Sequence, residues 1–420
     1  MPEEKRVFIF LDTMPQRQGS GASLRHYSNV RAYLDLGFAV EVIQIGTAPE
    51  NSEPSRDLTP VVWQRVIESA PSPSLFGRLM FRHGSPRRTA VQYYFEKHEL
   101  TRREVDRRRR HFPKAIYHLE GEAMASIVPW LPRSTRSIWS LHDLPSTVTA
   151  ATMEIAREVQ GRTQTVPERR ELHFAKRLER FMADRAPLIL CIAKHDADRL
   201  RDEWGCNHAE YFPMSIPDDG ADRPAGSWLP DGRLRLMHLG RVSHLPSYRS
   251  LEYLLARVFP ILPPQVLDRI SMDVVGRVDE DERTKRILAL AACYPNVSFR
   301  GFVDDVMPYY ENSDLQIVAS TDAAGLRTRT IESFAYGLPV LSTAIGARGI
   351  AGLSLGEHLL IAEAAPQFVQ QLAHLLEAPE TLTRLSLNGR DFYRKHQSRK
   401  TVASALDGYL RKYFGVPGSE

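Results

Sequence analysis

The chain has 420 residues, 43% of them hydrophobic and 25% charged, with a formal net charge of +4. That balance belongs to packed α/β proteins and excludes a disordered chain, and the length points to about two or three domains. Three cysteines, Cys191, Cys206 and Cys293, offer no disulfide framework and no zinc-knuckle spacing, which fits a reducing compartment.

The N-terminal run "MPEEKRVFIFLD" is strand-length and quickly acidic, so neither a signal peptide nor a membrane span is expected and a cytoplasmic protein is. "RVFIFLD" reads as a buried strand. "QRQGSGASLRHYSNVRAYLDLG" reads as a glycine loop entering an amphipathic helix, and "FAVEVIQIG" as the next strand. Strand, loop, helix and strand make a βαβ unit and imply a parallel sheet. Gly19 and Gly21 belong to a short glycine loop without a dinucleotide fingerprint. Close approach to a phosphate and a simple tight turn both remain open there.

Between residues 71 and 115, twelve basic residues from Arg78 to Lys114 face only Glu96, Glu99, Glu104 and Asp106. An island of this kind, above all 78–110, attracts an anionic membrane face or an anionic acceptor, or is simply a solvated helix face. Interleaved aromatics in "RLMFRHGSPRRTAVQYYFEKHEL" favour a surface-binding helix pair. No nucleic-acid-binding pattern accompanies it, so no nucleic-acid partner is expected.

"STRSIWSLHDLPS" is a strand running into a polar loop, and "RAPLILCIAKHDADRLRDEWG" a strand running into a helix. The aperiodic stretch "SIPDDGADRPAGSWLPDG", rich in Pro, Gly and Asp, reads as an interdomain linker. A second series follows: strands "LRLMHLGRV", "ISMDVVGRV", "VSFRGFV" and "LQIVAS" alternate with helices "SLEYLLARVFPIL", "TKRILALAACYP" and "VMPYYENSD". The expected organisation is an N-terminal domain over 1–217 with the basic insertion 71–115, a linker over 218–232, a second domain over 233–395 and a C-terminal helix over 396–420 that packs back on the N-terminal domain. In doubly wound sheets ligands collect outside the carboxyl ends of the strands, which directs attention to Gly19–Gly21, His142–Ser146, Arg241 and the loop 322–329.

In "STDAAGLRTRTIESFAYGLPVLSTAIG" two arginines, Arg327 and Arg329, stand at the start of a helix whose dipole is already positive there. Two cations at that end are a cost unless an anion sits among them. With backbone N–H groups around Gly325 they would make an anion cradle. The bland alternative is a pair of surface arginines bonded to Asp322 or Glu332.

The segments "GLRTRTIESFAYGLPVLSTAIGARGI", "HLGRVSHLPSYRSLEYL" and "PNVSFRGFVDDVMPYYENSDLQIV" resemble the nucleotide-sugar half of the retaining GT-B glycosyltransferases of family 4, the glycosyl transferases group 1. "LRHYSNVRAYLDLGFAVEVI" and "LHDLPS" are similar to the acceptor half. The resemblance implies two Rossmann-like, doubly wound parallel-sheet domains facing across a cleft, and a retaining transferase. Its substrates would be a nucleotide-sugar donor and a glycan, lipid-linked or protein acceptor, met in the cytoplasm or peripherally at the inner face of a membrane.

Residue by residue, the resemblance makes Arg241 a ligand of the donor diphosphate, with Arg327 and Arg329 standing in for a lysine absent from "SHLPSYRS". It makes Glu332 the ribose ligand, Phe302 and Val303 the backbone seat of the base, and Gly325 and Leu326 part of the donor loop. His142 becomes a sugar contact, and the catalytic set is His142, Arg241 and Arg329. Glu332 is also explained as an ordinary acid in a helix's first turn, and His142 as a packed or surface histidine. The family's other glutamate, eight positions before Glu332, is Ala324 here. Backbone amides of 323–326 or Asp322 would replace it, or the donor sugar is unusual, or the site is silent.

No Asp-x-Asp pair is read at a strand end and no His or Cys cluster has ligand spacing, so neither a metal nor another cofactor is expected. Charge on the leaving diphosphate would then fall to the arginines and helix dipoles, and the family's front-face proposal has a donor phosphate oxygen take the acceptor proton. The competing readings are a catalytically silent relative serving as a glycan- or protein-binding assembly subunit and, more remotely, a nucleotide-sugar epimerase.

Overall fold

The computed structural model describes residues 5–46, 55–66, 99–121, 124, 127–128, 131–160, 163–217, 228–321 and 325–416. The chain divides into two units, Met1–Ser215 with Arg399–Glu420 and Ile216–Ser398. Residues 218–227 of the expected linker 218–232, the basic run 71–98 and loop positions 322–324 lie outside the described residues.

The first unit is a parallel sheet of seven strands, β1 (Arg6–Leu11), β2 (Ala39–Ile45), β3 (Val62–Val66), β4 (Ile116–Glu120), β5 (Ser137–Leu141), β6 (Leu188–Cys191) and β7 (Ala209–Tyr211). Its order, β3-β2-β1-β4-β5-β6-β7, reverses direction between β1 and β4. Its helices are α1 (Gly21–Asp35), α2 (Glu99–His111), α3 (Pro145–Gln160), α4 (Val166–Ala183) and α5 (Lys194–Trp204). Strand β1 carries five consecutive apolar residues, all fully buried, as a strand covered on both faces requires. One face packs Phe8, Phe10, Tyr117 and Trp139. The other packs Val7, Ile9 and Leu11 under α1.

Ser20 opens α1 by accepting the Ser23 N–H at 3.2 Å, so Gly19 and Gly21 flank a helix cap. In the part of the basic island on α2, Arg107 is bonded to Glu104 and Arg108 is buried against Glu41, Gln64 and Glu104. Arg108 thus serves the unit's own packing, while Arg107 is an exposed side chain paired along its own helix, as on the solvated helix face that was one of the sequence expectations.

The second unit repeats the plan with six parallel strands, β8 (Leu234–Leu239), β9 (Ile270–Val275), β10 (Val297–Gly301), β11 (Leu315–Val318), β12 (Val340–Ser342) and β13 (Leu360–Ile361). The order β10-β9-β8-β11-β12-β13 reverses between β8 and β11. Its helices are α6 (Leu245–Tyr253), α7 (Pro264–Leu267), α8 (Glu282–Ala291), α9 (Met307–Asn312), α10 (Thr328–Ala335), α11 (Ala344–Ala347), α12 (Ala365–Glu377) and α13 (Glu380–His396). Helix α6 runs on through one wider turn at Leu254–Val258, and the chain leaves it at Pro260, which has no N–H to continue it. Trp228, within the expected linker 218–232, is instead buried in this unit.

A last helix, α14 (Arg399–Phe414), belongs to the first unit. Val402, Leu406 and Leu410 share a core with Tyr27, Val30 and Tyr33 of α1, and Arg399 pairs with Asp35. Among the described residues no helix is long and apolar enough to cross a membrane.

Two glycines let the second unit's strand ends close. Gly276, at φ 142°, lies against the turn after β8, where an added Cβ would stand 2.3 Å from the Gly240 carbonyl oxygen. That obstacle is backbone and does not swing away. Gly276→Ala is therefore expected to lower the unfolding free energy of this unit by about 2 kcal/mol or more, read by chemical denaturation.

Candidate functional site

In the second unit the loops after β8 and β11 emerge at the carboxyl edge, at the strand-order reversal where doubly wound sheets hold ligands. Helix α10 starts from the β11 loop, and its far end is fixed. Arg390 of α13 donates to the Ala335 carbonyl at 2.7 Å, Ser386 donates to the Gly337 carbonyl at 2.6 Å, and Phe334 packs on Phe392. The first turn of α10 contains no acid, and its N-cap residue Arg327 makes no side-chain cap bond.

Neither arginine is an exposed side chain. Arg327 is 6% exposed; its Nε donates to Ser320 Oγ at 2.9 Å and its Nη1 reaches back to the Gly325 carbonyl at 3.4 Å. Gly325 turns the loop at φ 77°. Arg327 thereby braces the loop in which Leu326 also lies. Arg329 reaches across to β8 and α6, with Nη2 3.2 Å from Ser247 Oγ and Nη1 3.4 Å from His238 Nε2. This reach depends on Gly240, where a Cβ would stand 2.3 Å from Ser247 Oγ and 3.3 Å from Arg329 Nη2.

Glu332 lies one turn along α10, 8% exposed, with the Tyr310 hydroxyl 3.4 Å from Oε2. Burial pushes its carboxyl up to about 7 against the opposing pull of Arg329, and burial followed by Glu332 itself pushes the Tyr310 hydroxyl well up. Burial, then Arg329, drives His238 well below the ordinary histidine value, so its ring is neutral. The structure thus brings Arg327, Arg329 and Glu332 to one helix end beside the turn that carries Arg241.

Arg241 itself is turned to Asp279, with Nε–Oδ2 2.6 Å and Nη2–Oδ1 3.0 Å, and over half of its side chain is exposed. Phe302, after β10, is 69% exposed, while Val303 packs against the cluster of Met237, Val275 and Tyr310. Ser247, His238 and Ser320, which hold the arginines in place, had no motif to mark them in the sequence.

In the first unit His142 follows β5, its side chain 24% exposed, with Nε2 3.8 Å from Oε2 of Glu120 at the end of β4. Its ring centroid is 5.1 Å from that of His26 on α1. Glu120 is fully buried. Burial works against its charge, but His118 first, then His142 and His26, outweigh it and hold the carboxyl well below its usual range. Burial keeps His26 below the ordinary histidine value. Gly19 and Gly21 lie at the start of the same α1, before its cap and at its first residue.

Residues 233–378 match the family described as glycosyl transferases group 1. No curated protein sequence matches the chain. Solved structures share the fold across nearly the whole length at low identity. A sucrose-phosphate synthase from Thermosynechococcus elongatus is 14% identical, covering 98% of this chain and 100% of its own, with a TM-score of 0.69. Anabaena HepE, solved with UDP and glucose, is 13% identical over 97% and 99%, at 0.66. The pneumococcal O-GlcNAc transferase GtfA, solved with UDP and GlcNAc, is 10% identical over 97% and 99%, at 0.62. Two all-parallel α/β domains of this kind are the GT-B fold, as the sequence led one to expect.

Glu332 gives the second unit a pH signature. Its folded value of about 7 exceeds the ordinary 4.5, so between these the folded state holds more protons and stability falls as pH rises. The stabilisation is complete below about pH 4.5 and lost through about pH 7. At 1.36 kcal/mol per pH unit the total is on the order of 3 kcal/mol. Glu332→Gln is expected to remove this loss, seen as a flatter difference between wild-type and variant unfolding free energies across that range.

Proposed function

We propose that this chain, a GT-B protein whose second unit matches the glycosyl transferases group 1, is a glycosyltransferase. It would take its sugar from a nucleotide-sugar donor and pass it, with retention of anomeric configuration, to a glycan, lipid-linked or other cell-envelope acceptor. The observation that carries the reading is the helix end of α10. Two arginines and the positive pole of a helix meet there, with a carboxyl one turn on, inside the segment 233–378 that matches the family.

Chemically, that end suits a diphosphate and a ribose together. Arg329 and first-turn N–H groups neutralise phosphate oxygens, and Glu332 accepts from ribose hydroxyls. Arg327 contributes by holding the loop and by its charge. Arg241 reaches the phosphates by exchanging its Asp279 contact, which its exposure permits. As the leaving diphosphate gains charge these groups are already in place, so little reorganisation is needed. In the first unit the reading assigns acceptor binding, with His142 as a sugar contact, and the remaining basic residues of 78–110 as attraction to an anionic surface. Since HepE and GtfA were solved with UDP, a UDP-sugar is the first donor to try.

A silent binding subunit is the second reading, favoured by Ala324 where the family has a glutamate. A nucleoside diphosphate panel by calorimetry, followed by a nucleotide-sugar panel scored for transfer and hydrolysis, separates the two. Nucleotide binding with turnover supports the transferase, nucleotide binding without turnover on any donor supports the silent subunit, and no nucleotide binding defeats the donor-site assignment and the transferase with it. Arg329→Ala is expected to weaken binding of the recognised nucleoside diphosphate roughly 10- to 150-fold, the equivalent of losing about 1.5–3 kcal/mol of charge-assisted contact. Unchanged affinity would remove Arg329 from the cradle.

A further inference from the structure

We propose that His26, Glu120 and His142 form a binding site for one divalent transition-metal ion of the zinc class within the first unit. The inference uses none of the residues of α10 and does not depend on the transferase reading, with which it shares one residue, His142, assigned there as a sugar contact. One donor atom from each residue lies within 4.8 Å of the other two. His26 and Glu120 are wholly enclosed, and His142, partly exposed, leaves one side open.

Hydrogen bonding decides which atoms face the centre. His26 places Nδ1 2.7 Å from the Thr13 carbonyl oxygen. A carbonyl only accepts, so Nδ1 carries the proton and Nε2 the lone pair. Oε1 of Glu120 accepts from Asn29 Nδ2 and lies 2.9 Å from His118 Nε2, while the Tyr33 hydroxyl is 2.9 Å from His118 Nδ1. That leaves Oε2, which stands 3.8 Å from His142 Nε2. His26 Nε2, Glu120 Oε2 and His142 Nε2 are all buried atoms without a hydrogen-bond partner. Arg25, next to His26, spends Nη1 on the Phe212 and Pro213 carbonyls at 3.0 and 2.8 Å.

Unpaired polar atoms in a protein interior are costly, and three that converge on one point call for a shared partner. Supporting partners behind the imidazole and the carboxylate are how metal ligands are oriented, with a ring N–H given to a carbonyl as at His26. Two histidines, one glutamate and an open position make a zinc ligand set, whereas calcium and magnesium prefer oxygen alone. Zinc distances of about 2.0–2.2 Å put neighbouring donors roughly 3.3 Å apart, so the widest side of the triangle must close by roughly 1.5 Å. His142 on its loop is the member able to move. The three residues are scattered over α1, β4 and the β5 loop, which is why no spacing along the chain announced them.

The test titrates chelator-stripped full-length protein with Zn²⁺ by calorimetry and with Co²⁺ by visible absorption. One ion per chain is expected, with a ligand-field band from Co²⁺ and no response to Mg²⁺. Loss of a ligand should exceed the ~10–100-fold that loss of a merely orienting partner costs, so His142→Ala and Glu120→Gln should each weaken Zn²⁺ by more than that. His111→Gln, at an exposed position on α2, should leave affinity unchanged. Should Glu120→Gln fail to fold, His142→Ala carries the test, its fold checked by circular dichroism without metal. Absence of saturable Zn²⁺ binding, or unchanged affinity in a folded His142→Ala, overturns the site.

Discussion

Every strand of both sheets runs parallel, and this one constraint arranges the rest. A parallel neighbour is reached only by a crossover, so within each sheet taken by itself the loops that follow strands surface at one edge. Residues remote in sequence therefore gather there. Arg241 follows β8, Arg327 and Arg329 follow β11, and His142 follows β5 while Glu120 ends β4. Strand interiors, covered on both faces, are left to apolar side chains such as those of β1.

The two carboxyls at these edges show how surroundings divide one chemistry into two. Glu120 and Glu332 are both removed from solvent, and burial alone would raise each. Around Glu120 stand three imidazoles, whose combined attraction reverses the effect and keeps it ionised. Around Glu332 the opposing charge is the single guanidinium of Arg329, aided by hydroxyls, and burial prevails. A permanently charged carboxylate wants a cation. A carboxyl that titrates near neutrality suits a place where anionic and neutral groups of one ligand arrive together.

Much of the architecture was legible because it rests on patterns a chain displays locally. Apolar runs of strand length marked β1, β2, β6, β8, β9 and β11, and the glycine loop entering α1 and the arginine pair at the start of α10 stood out by their chemistry. What stayed hidden depends on packing between distant segments. "IYHLE" at β4 is short and carries His118 and Glu120, so it does not read as a wholly buried strand, although all five of its residues are. Without β4, Glu120 has no place at the sheet edge, and His26 is only one polar residue on the helix α1. The bond from Arg327 to Ser320 went unread for the same reason, since the two stand on either side of a loop.

Arg329 and Glu332 illustrate how the fold reconciles opposed demands at one helix end. A cation near a helix N-terminus is disfavoured by the dipole, and Arg329 meets it beside two neutral groups, Ser247 and His238. Were His238 charged, the repulsion would drive the guanidinium out, and burial forbids that charge. The nearby acid, Glu332, offers only partial compensation around neutral pH because much of it is protonated there. The result is a positive helix end already in place. On the proposed reading this serves both halves of a nucleotide: the phosphates meet guanidinium and first-turn N–H groups, and the ribose meets a carboxyl that accepts a hydrogen bond in either protonation state. The fixing of α10 by Arg390 and Ser386 then matters for function, because an anion site built on side-chain reach works only if the helix that aims them stays still.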